Sequence, residues 1–239
     1  MVSERRIKYL KIYASALNRV KTERNKGITA FGIVDRDALM KEEKWELWWE
    51  TDDQQFKQAK PFGNYILVLQ RWELENYLLS PEELEIVLYD KELRSPKKID
   101  VVIKDLLKKA EDLKVLSAAM ILSNENGYRF PKSFGSKNGK VGTGEVLQNN
   151  VESHLSKHIQ FNQSNQQFTT YIQKIEAFAE GNTEPTKQRW ERLNRLLDGK
   201  LTLQRLDLSN ERGYLATHIR IKNHIDPELM TYIEELKPV

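Results

Sequence analysis

The feature that most constrains the fold is an apolar run that stops at a charged turn. Residues 28–34 read Ile-Thr-Ala-Phe-Gly-Ile-Val, and Asp35-Arg36-Asp37 follows them directly. A nearly continuous apolar run of this length is typical of a strand covered on both faces, as in a parallel sheet. A second run of strand length, Tyr-Ile-Leu-Val-Leu at 65–69, predicts a partner for it. The sequence therefore predicts an α/β fold with a parallel sheet near its start.

Helical periodicity dominates the rest of the chain. Apolar residues at three- and four-residue steps predict a first helix that ends at Gly27, and a polar helical segment follows over 38–60. Ser80-Pro81 has the residues of a helix start, with a capping side chain followed by proline. Helices also account for most of the chain after residue 84, and the last of them is a short helix after Pro227. We therefore expect an α/β core over residues 1–105 and a mostly helical region over 106–239.

Composition sets broad limits on function. Lys and Arg number 38 against 35 Asp and Glu, and this net charge of +3 does not mark a nucleic-acid-binding protein, although a local basic surface is compatible with it. The chain has no cysteine, which excludes thiolate metal sites and disulfides. No run approaches the roughly 18 apolar residues of a membrane span, and no apolar segment follows the N-terminal charges as in a secretory signal. We expect a cytoplasmic protein that does not enter a membrane.

Two pairs of acids follow the two predicted strands. Asp35 and Asp37 come directly after the first, and Glu73 and Glu75 follow the second. Residues two apart in an extended segment project to the same side, and sites in open α/β sheets form beyond the carboxyl ends of the strands. If the strands are parallel neighbours, all four acids converge and provide the oxygen ligands that suit Mg²⁺ or Mn²⁺.

Each pair also has a simpler interpretation. Asp-x-Asp after a strand is often a turn with helix-capping acids, and Glu73 and Glu75 are equally compatible with a solvated helix start. Both interpretations stay open at the level of sequence.

The same residues carry a resemblance to a known family. Residues 32–37, followed by Arg-Trp-Glu-Leu-Glu-Asn-Tyr-Leu-Leu at 71–79, resemble Toprim-type nuclease domains. The most similar domains accompany ABC-type ATPases in bacterial anti-phage loci, as in the OLD-family nucleases and the effector of the PARIS system. Trp190 and Leu-Asp-Gly-Lys at 197–200 also resemble a segment near the end of that family. The resemblance covers about residues 10 to 205.

This resemblance implies a fold, a metal and partners. The fold would be a Toprim-like, Rossmann-like parallel sheet in which Asp35, Asp37 and Glu75 are catalytic and bind Mg²⁺ or Mn²⁺, with Glu73 assisting. The protein would be an endonuclease that cleaves DNA or RNA, working with an ABC-type ATPase partner protein. A homo-oligomer is also compatible with the family.

One expected element of the family is missing from the sequence. Toprim domains open with a strand that ends in a Val-Glu-Gly-like signature, and none of the 34 residues before Asp35 resembles it. The alternative is therefore a catalytically incomplete, Toprim-like scaffold that docks an ABC-type ATPase. A phosphatase or phosphotransferase that uses the same aspartates is disfavoured, because the Ser/Thr and Lys motifs of such enzymes are not found.

Other motifs predict no site. His154 and His158 share a helix face at i and i+4, but no His-Glu-x-x-His pattern or third ligand accompanies them. The glycine-containing segment 135–144 departs from the spacing of a phosphate-binding loop and indicates a flexible loop.

Overall fold

The computed structural model describes residues 13–92, 98–136, 141–159, 161–179 and 184–235. The chain divides into two compact units, Met1–Gln70 with Ile225–Val239 and Arg71–His224. The fold is α/β and mostly helical, as the sequence predicts. Among the helices in these described ranges, none is long and apolar enough to cross a membrane.

The first unit contains a small sheet surrounded by helices. Its elements are α1 (Tyr13–Asn25), β1 (Gly32–Val34), α2 (Asp37–Lys41), α3 (Trp45–Trp48), α4 (Asp53–Ala59), β2 (Ile66–Val68) and, from the end of the chain, α12 (Pro227–Glu235). Of the first predicted helix, the described part is α1, and Gly27 follows its end in a left-handed conformation with φ +77°.

The two strands are parallel, which confirms the prediction for this pair. Gly32 lies opposite Ile66 and Val34 opposite Val68. The strands are shorter than the apolar runs that contain them. Before β1, the carbonyl oxygen of Ala30 accepts a hydrogen bond from Arg24 Nη1 at 3.1 Å, so a side chain of α1 takes the place of a strand partner.

Residues 38–60, predicted to be a polar helical segment, form three short helices instead of one. The first of them, α2, ends at Lys41, and Glu43 just beyond it has φ +54°. Asp52 then caps α4 by accepting hydrogen bonds from the amides of Gln54 and Gln55 at 2.8 Å each. Neither break involves glycine or proline, and periodicity alone therefore gave no reason to expect them.

The last helix closes the outer edge of β2. Glu228 Oε1 accepts a 2.7 Å hydrogen bond from the amide of Gln70, and the Tyr232 hydroxyl donates to the Val68 carbonyl at 2.9 Å. These two side chains supply partners for main-chain groups that face away from β1. The helix expected after Pro227 thus belongs to the same unit as the sheet.

The second unit is helical in the ranges that are described. Its elements are a 3-10 helix (Leu74–Leu78), α5 (Pro81–Glu92), α6 (Ile99–Glu125), a second 3-10 helix (Lys132–Gly135), α7 (Gly144–His158), α8 (Phe161–Ala177), α9 (Lys187–Leu193), α10 (Gly199–Arg205) and α11 (Arg212–Lys222). The boundary predicted near residue 105 falls inside α6.

Helix α6 forms the centre of this unit. Its length of 27 residues brings buried side chains such as Leu106, Leu113 and Ile121 against the neighbouring helices. The start predicted at Ser80-Pro81 is confirmed, since Ser80 Oγ accepts a hydrogen bond from the amide of Glu83 at 3.3 Å. Of the segment 135–144, residues 137–140 lie outside the described ranges.

Candidate functional site

Arg36 fixes the turn that follows β1. Its side chain is buried, with 1% of its surface exposed. The guanidinium lies 4.4 Å from the centroid of the Phe56 ring, within the range of a cation–π contact. A planar guanidinium with five donors in a fixed fork reaches more carbonyl acceptors at once than the three donors of a lysine ammonium. The guanidinium donates to four main-chain oxygens, those of Leu47 (3.2 Å), Trp48 (2.6 Å), Glu50 (3.0 Å) and Gln70 (2.6 Å).

Asp35 and Asp37 flank Arg36 at half-buried positions. Arg36 has helical backbone angles (φ −58°, ψ −28°), and Asp37 is the first residue of α2. The extended geometry assumed for the pair therefore ends at Asp35. Asp37 Oδ2 accepts from Lys41 Nζ at 2.8 Å, and the two side chains are 30% and 45% exposed. An exposed i,i+4 pair of this kind contributes only about 0.3–0.5 kcal/mol, so it gives little structural reason for an acid at position 37.

In the second unit, Glu73 is bound by Lys200. Glu73 precedes the first 3-10 helix and caps it, and its side chain is 6% exposed. Glu73 Oε1 accepts a 2.7 Å hydrogen bond from the backbone amide of Lys200, and Glu73 Oε2 pairs with the Lys200 ammonium. Glu73 therefore stands at a helix start, as one interpretation of the sequence had it, but it is not solvated, because both of its oxygens bind a residue 127 positions away.

Glu75 lies between two cations. It occupies the first turn of the 3-10 helix, and its side chain is 12% exposed. Its Oε1 is 3.2 Å from Arg212 Nη1, and its Oε2 is 3.7 Å from Lys200 Nζ. Lys200 and Arg212 are themselves about two-fifths exposed, at 39% and 42%. The two glutamates thus face positive charges that remain accessible to solvent.

A pair of asparagines holds this arrangement in place. Asn76 and Asn194 are fully buried. Asn76 Nδ2 donates to the carbonyl oxygens of Asn194 and Leu197, at 2.8 Å each, and to Asn194 Oδ1 at 2.9 Å. In return, Asn194 Nδ2 donates to the Asn76 carbonyl at 2.8 Å. These bonds fix the glutamate-bearing turn against the segment that leads into α10.

Asp198 and Gly199 begin α10 at the closest point of this contact. The Asp198 carboxylate is buried and caps the helix, accepting from the amide of Leu201 at 2.7 Å. A Cβ atom at Gly199 would lie 2.6 Å from Asn76 Oδ1 and 3.0 Å from the Asn76 amide nitrogen. Only glycine allows the backbone to approach so closely.

Burial raises the pKa of the Asp198 carboxyl to about 6, and the negative charge of Glu75 acts in the same direction. Hydrogen bonds from the amides of Leu201 and Lys200, together with the charge of Lys132, oppose the rise in pKa. We refer to Glu73, Glu75, Asp198, Lys200 and Arg212 as the Lys200 cluster.

The sequence indicated only part of this cluster. It singled out Glu73 and Glu75, and it included Asp198 and Lys200 within a resembling segment without giving them roles. Arg212 was missed, since nothing in the sequence around it indicates a partner 137 positions away. An Asp-Gly-Lys triplet at a helix start was the available signal for Asp198 and Lys200.

The two acidic pairs belong to different units, and their expected convergence stays a prediction. Across the described residues, no group of three or more His, Asp or Glu side chains is arranged to hold a metal ion. Asp35 and Asp37 fit a hard cation by chemistry, because both are half-exposed carboxylates. Both oxygens of Glu73 bind Lys200, so Glu73 could bind a cation only after these contacts were broken.

Comparison with known proteins identifies no relative of this chain. No protein-family model matches it, no curated protein matches it, and no solved structure matches it. The function proposed below therefore rests on the residues, their geometry and the resemblance of the motifs.

Proposed function

We propose that this chain is a metal-dependent endonuclease of the Toprim class, acting as a cytoplasmic effector of an anti-phage system. The observation that carries the proposal is the Asp35-Arg36-Asp37 turn directly beyond a parallel strand. Buried Arg36 holds this turn from within the unit, while both carboxylates stay half-exposed. Two half-exposed carboxylates beyond the carboxyl end of a parallel strand supply oxygen ligands of the kind that divalent cations bind.

The proposed nuclease assigns separate roles to the acidic and the basic residues. Asp35 and Asp37 hold Mg²⁺ or Mn²⁺, and the resemblance assigns Glu75, with Glu73 assisting, to the same role. When bound, the ion would position a phosphodiester and offset the charge that develops during cleavage. Lys200 and Arg212 offer partly exposed positive charges suited to the phosphate oxygens of DNA or RNA. The ABC-type ATPase partner is proposed from the resemblance.

Calorimetric titration with Mg²⁺ and Mn²⁺ tests this function. The wild type should bind, and the double variant Asp35→Asn/Asp37→Asn should not. A matched control, Glu234→Gln/Glu235→Gln, removes two exposed acids from the same unit and should bind like the wild type. Supercoiled DNA, single-stranded DNA and tRNA are then incubated with each protein in Mg²⁺ or in chelator. Cleavage that persists in the Asp35/Asp37 variant would rule out the assignment.

The scaffold alternative is favoured by one specific observation. Both oxygens of Glu73 bind Lys200, and Glu75 is shared between Lys200 and Arg212, so positive side chains already offset these acids. A scaffold would neither bind Mg²⁺ nor cleave, yet it would co-purify with an ATPase encoded beside it. Co-expression of the two proteins followed by size-exclusion chromatography measures this directly.

A further inference from the structure

Four ring side chains meet at one place in the second unit. Tyr128 lies between α6 and the second 3-10 helix, and Phe134 lies in that 3-10 helix. His154 and His158 lie on α7. The rings of Tyr128 and His158 stack, with their centroids 4.6 Å apart and their planes 9° from parallel. The centroid of the His154 ring lies 4.6 Å from that of His158 and 5.1 Å from that of Phe134. We refer to these four residues as the ring cluster.

The ring cluster is not enclosed in the core. Phe130 is the core residue beside it, since it is 6% exposed and its ring centroid lies 4.9 Å from that of Phe134. Tyr128, Phe134 and His154 are half-buried, and His158 is exposed. Packing of the core explains the burial of Phe130, but it gives no reason for an exposed ring stacked parallel on Tyr128. A partly exposed ring offers a surface on which an unpaired nucleic-acid base can stack.

A hydrogen bond holds two of the rings together. The Tyr128 hydroxyl and Nε2 of His154 are 2.7 Å apart. Burial lowers the pKa of His154 below its ordinary value of 6.5, and the charges of His158 and Lys157 act in the same direction. The His154 ring is therefore neutral at pH 7. A bond that needs no formal charge thus ties the segment after α6 to α7 and keeps the Tyr128 ring against His158.

Exposed basic side chains accompany these rings. Arg129, Lys132 and Lys157 are exposed, and none of them forms an ion pair within the described part of the chain. The acids nearest to them along the chain are Glu125 and Glu152, and both accept hydrogen bonds from other side chains. Proteins bind single-stranded nucleic acid through this combination, because cations meet the phosphates while rings meet the bases.

The second 3-10 helix joins the ring cluster to the Lys200 cluster. The Phe134 carbonyl accepts a 3.2 Å hydrogen bond from Arg205 Nη2 of α10. A Cβ atom at Gly135 would lie 2.6 Å from a leucine side chain of the same helix. Lys132, the first residue of the 3-10 helix, is close enough to Asp198 for its charge to oppose the rise in the pKa of that carboxyl. One short element therefore connects the rings to the partly exposed cations of the Lys200 cluster.

We propose that the ring cluster binds the unpaired bases of a single-stranded nucleic acid. Bases stack on the rings of Tyr128 and His158. The phosphates between the bases lie against Arg129, Lys132 and Lys157. The strand continues along the second 3-10 helix towards the Lys200 cluster. A duplex keeps its bases stacked inside, so it meets only the cations. That this strand is the substrate rests on the proposed nuclease, whereas its binding requires no metal.

Fluorescence anisotropy in the presence of a chelator measures this binding without cleavage. The probes are labelled oligo(dT) and oligo(U), with a labelled DNA duplex of the same length for comparison. The wild type should bind a single strand more tightly than the duplex, and the ratio of its affinities for the two single strands shows whether DNA or RNA is preferred. Equal affinity for single strand and duplex, or no binding of either single strand, would overturn the proposal.

His158→Ala removes the exposed ring without opening the core. It should weaken single-strand binding about 5- to 150-fold, which is the loss of one stacked base, and leave duplex binding unchanged. His158→Tyr restores a ring and should bind like the wild type. The matched control is Tyr89→Ala, which removes an exposed ring from α5 and should also bind like the wild type. If His158→Ala retains full affinity, or if His158→Tyr does not restore it, bases do not stack at this cluster.

Lys132→Gln and Lys157→Gln test the phosphate contacts. Each should weaken single-strand binding and reduce the slope of log affinity against log salt by about 0.7, the value for one phosphate contact on a single strand. Lys108→Gln, at an exposed position of α6, is the control and should leave the slope as it is. Unchanged slopes in both the Lys132 and the Lys157 variants would overturn this path for the strand.

Asp35→Asn/Asp37→Asn separates this proposal from the nuclease. The variant should bind oligo(dT) in chelator as tightly as the wild type, although it should no longer cleave. A wild type that binds single strands and never cleaves them would remove the nuclease and leave the ring cluster as a binding surface. Cleavage by the wild type, with full single-strand affinity in His158→Ala, would remove the ring cluster alone.

Discussion

Asn76 and Asn194 lie 118 positions apart and bind each other through both side chains. Asn76 Nδ2 donates to Asn194 Oδ1 at 2.9 Å, and Asn194 Nδ2 donates to the Asn76 carbonyl at 2.8 Å. Since both residues are fully buried, water cannot replace either partner. The reciprocal pair is therefore what holds Glu73 and Glu75 next to Lys200.

Asn76→Ala should destabilise the protein by about 3 kcal/mol, because it leaves buried acceptors without a donor. Urea unfolding monitored by circular dichroism measures the change. Asn149→Ala is the control, since Asn149 is an exposed residue in α7. That substitution should alter stability by no more than about 0.5 kcal/mol. Equal effects of the two substitutions would show that the buried pair has no special role.

Gly199→Ala should lower stability by about 1–3 kcal/mol, because the new methyl group would lie 2.6 Å from Asn76 Oδ1 and force the two segments apart. The same substitution at Gly213 in α11 meets no atom within 4 Å. There it should be neutral or stabilising by up to about 1 kcal/mol, since alanine is the better helix former. Differential scanning calorimetry on the two variants compares them directly, and a Gly199→Ala protein as stable as wild type would contradict the close contact.

Arg36→Lys keeps the positive charge but loses the planar fork that reaches four carbonyl oxygens. We expect a loss of about 3 kcal/mol in the free energy of unfolding, together with weaker Mg²⁺ binding, as the turn is no longer held. Arg19→Lys, at an exposed position of α1, controls for the change of residue type. Unfolding in urea and calorimetric titration are measured on both. If a folded Arg36→Lys protein binds Mg²⁺ as tightly as the wild type, the Arg36 contacts are not needed for metal binding.

The raised pKa of Asp198 predicts a pH dependence of stability. Its folded pKa of about 6 lies above the reference value of 3.8, so between these values the folded state binds the proton more tightly. The contribution of this group is fully present below about pH 4, falls as pH rises towards 6, and is lost above the folded pKa. The total loss is on the order of 3 kcal/mol, from the difference of about two pKa units.

Asp198→Asn tests this dependence, because asparagine caps a helix about as well as aspartate and carries no charge. Urea unfolding is measured from pH 4 to pH 7.5 for both proteins. The stability of the wild type relative to the variant should fall between pH 4 and 6 and then level off. A constant difference over the whole range would show that burial does not raise this pKa.

Local patterns in the sequence predicted several elements of the fold. The apolar runs at 28–34 and 65–69 contain β1 and β2, which pair in parallel. Ser80-Pro81 and Pro227 predicted the starts of α5 and α12. These features were predictable because strand burial, helix capping and the fixed φ of proline act within a few residues of chain.

The lengths of the elements were less predictable. Only residues 32–34 of the first run pair as a strand, since the Ala30 carbonyl is taken by Arg24. The segment 38–60 breaks at Glu43 and Asp52 without glycine or proline. In both cases a local side-chain contact or backbone conformation interrupts the strand or helix that the apolar pattern predicts.

By itself, the sequence determined that the chain is α/β, mostly helical, and that acids follow two parallel strands. Only the tertiary structure decided what those acids contact. Glu73 is bound by Lys200, Glu75 lies beside Arg212, and Glu83 binds two histidines more than 130 positions away. Hydrophobic periodicity and helix capping depend on residues that are close together in the sequence. The partner of a buried charge depends instead on which distant segment packs against it. For that reason the acids were visible in the sequence and their partners were not.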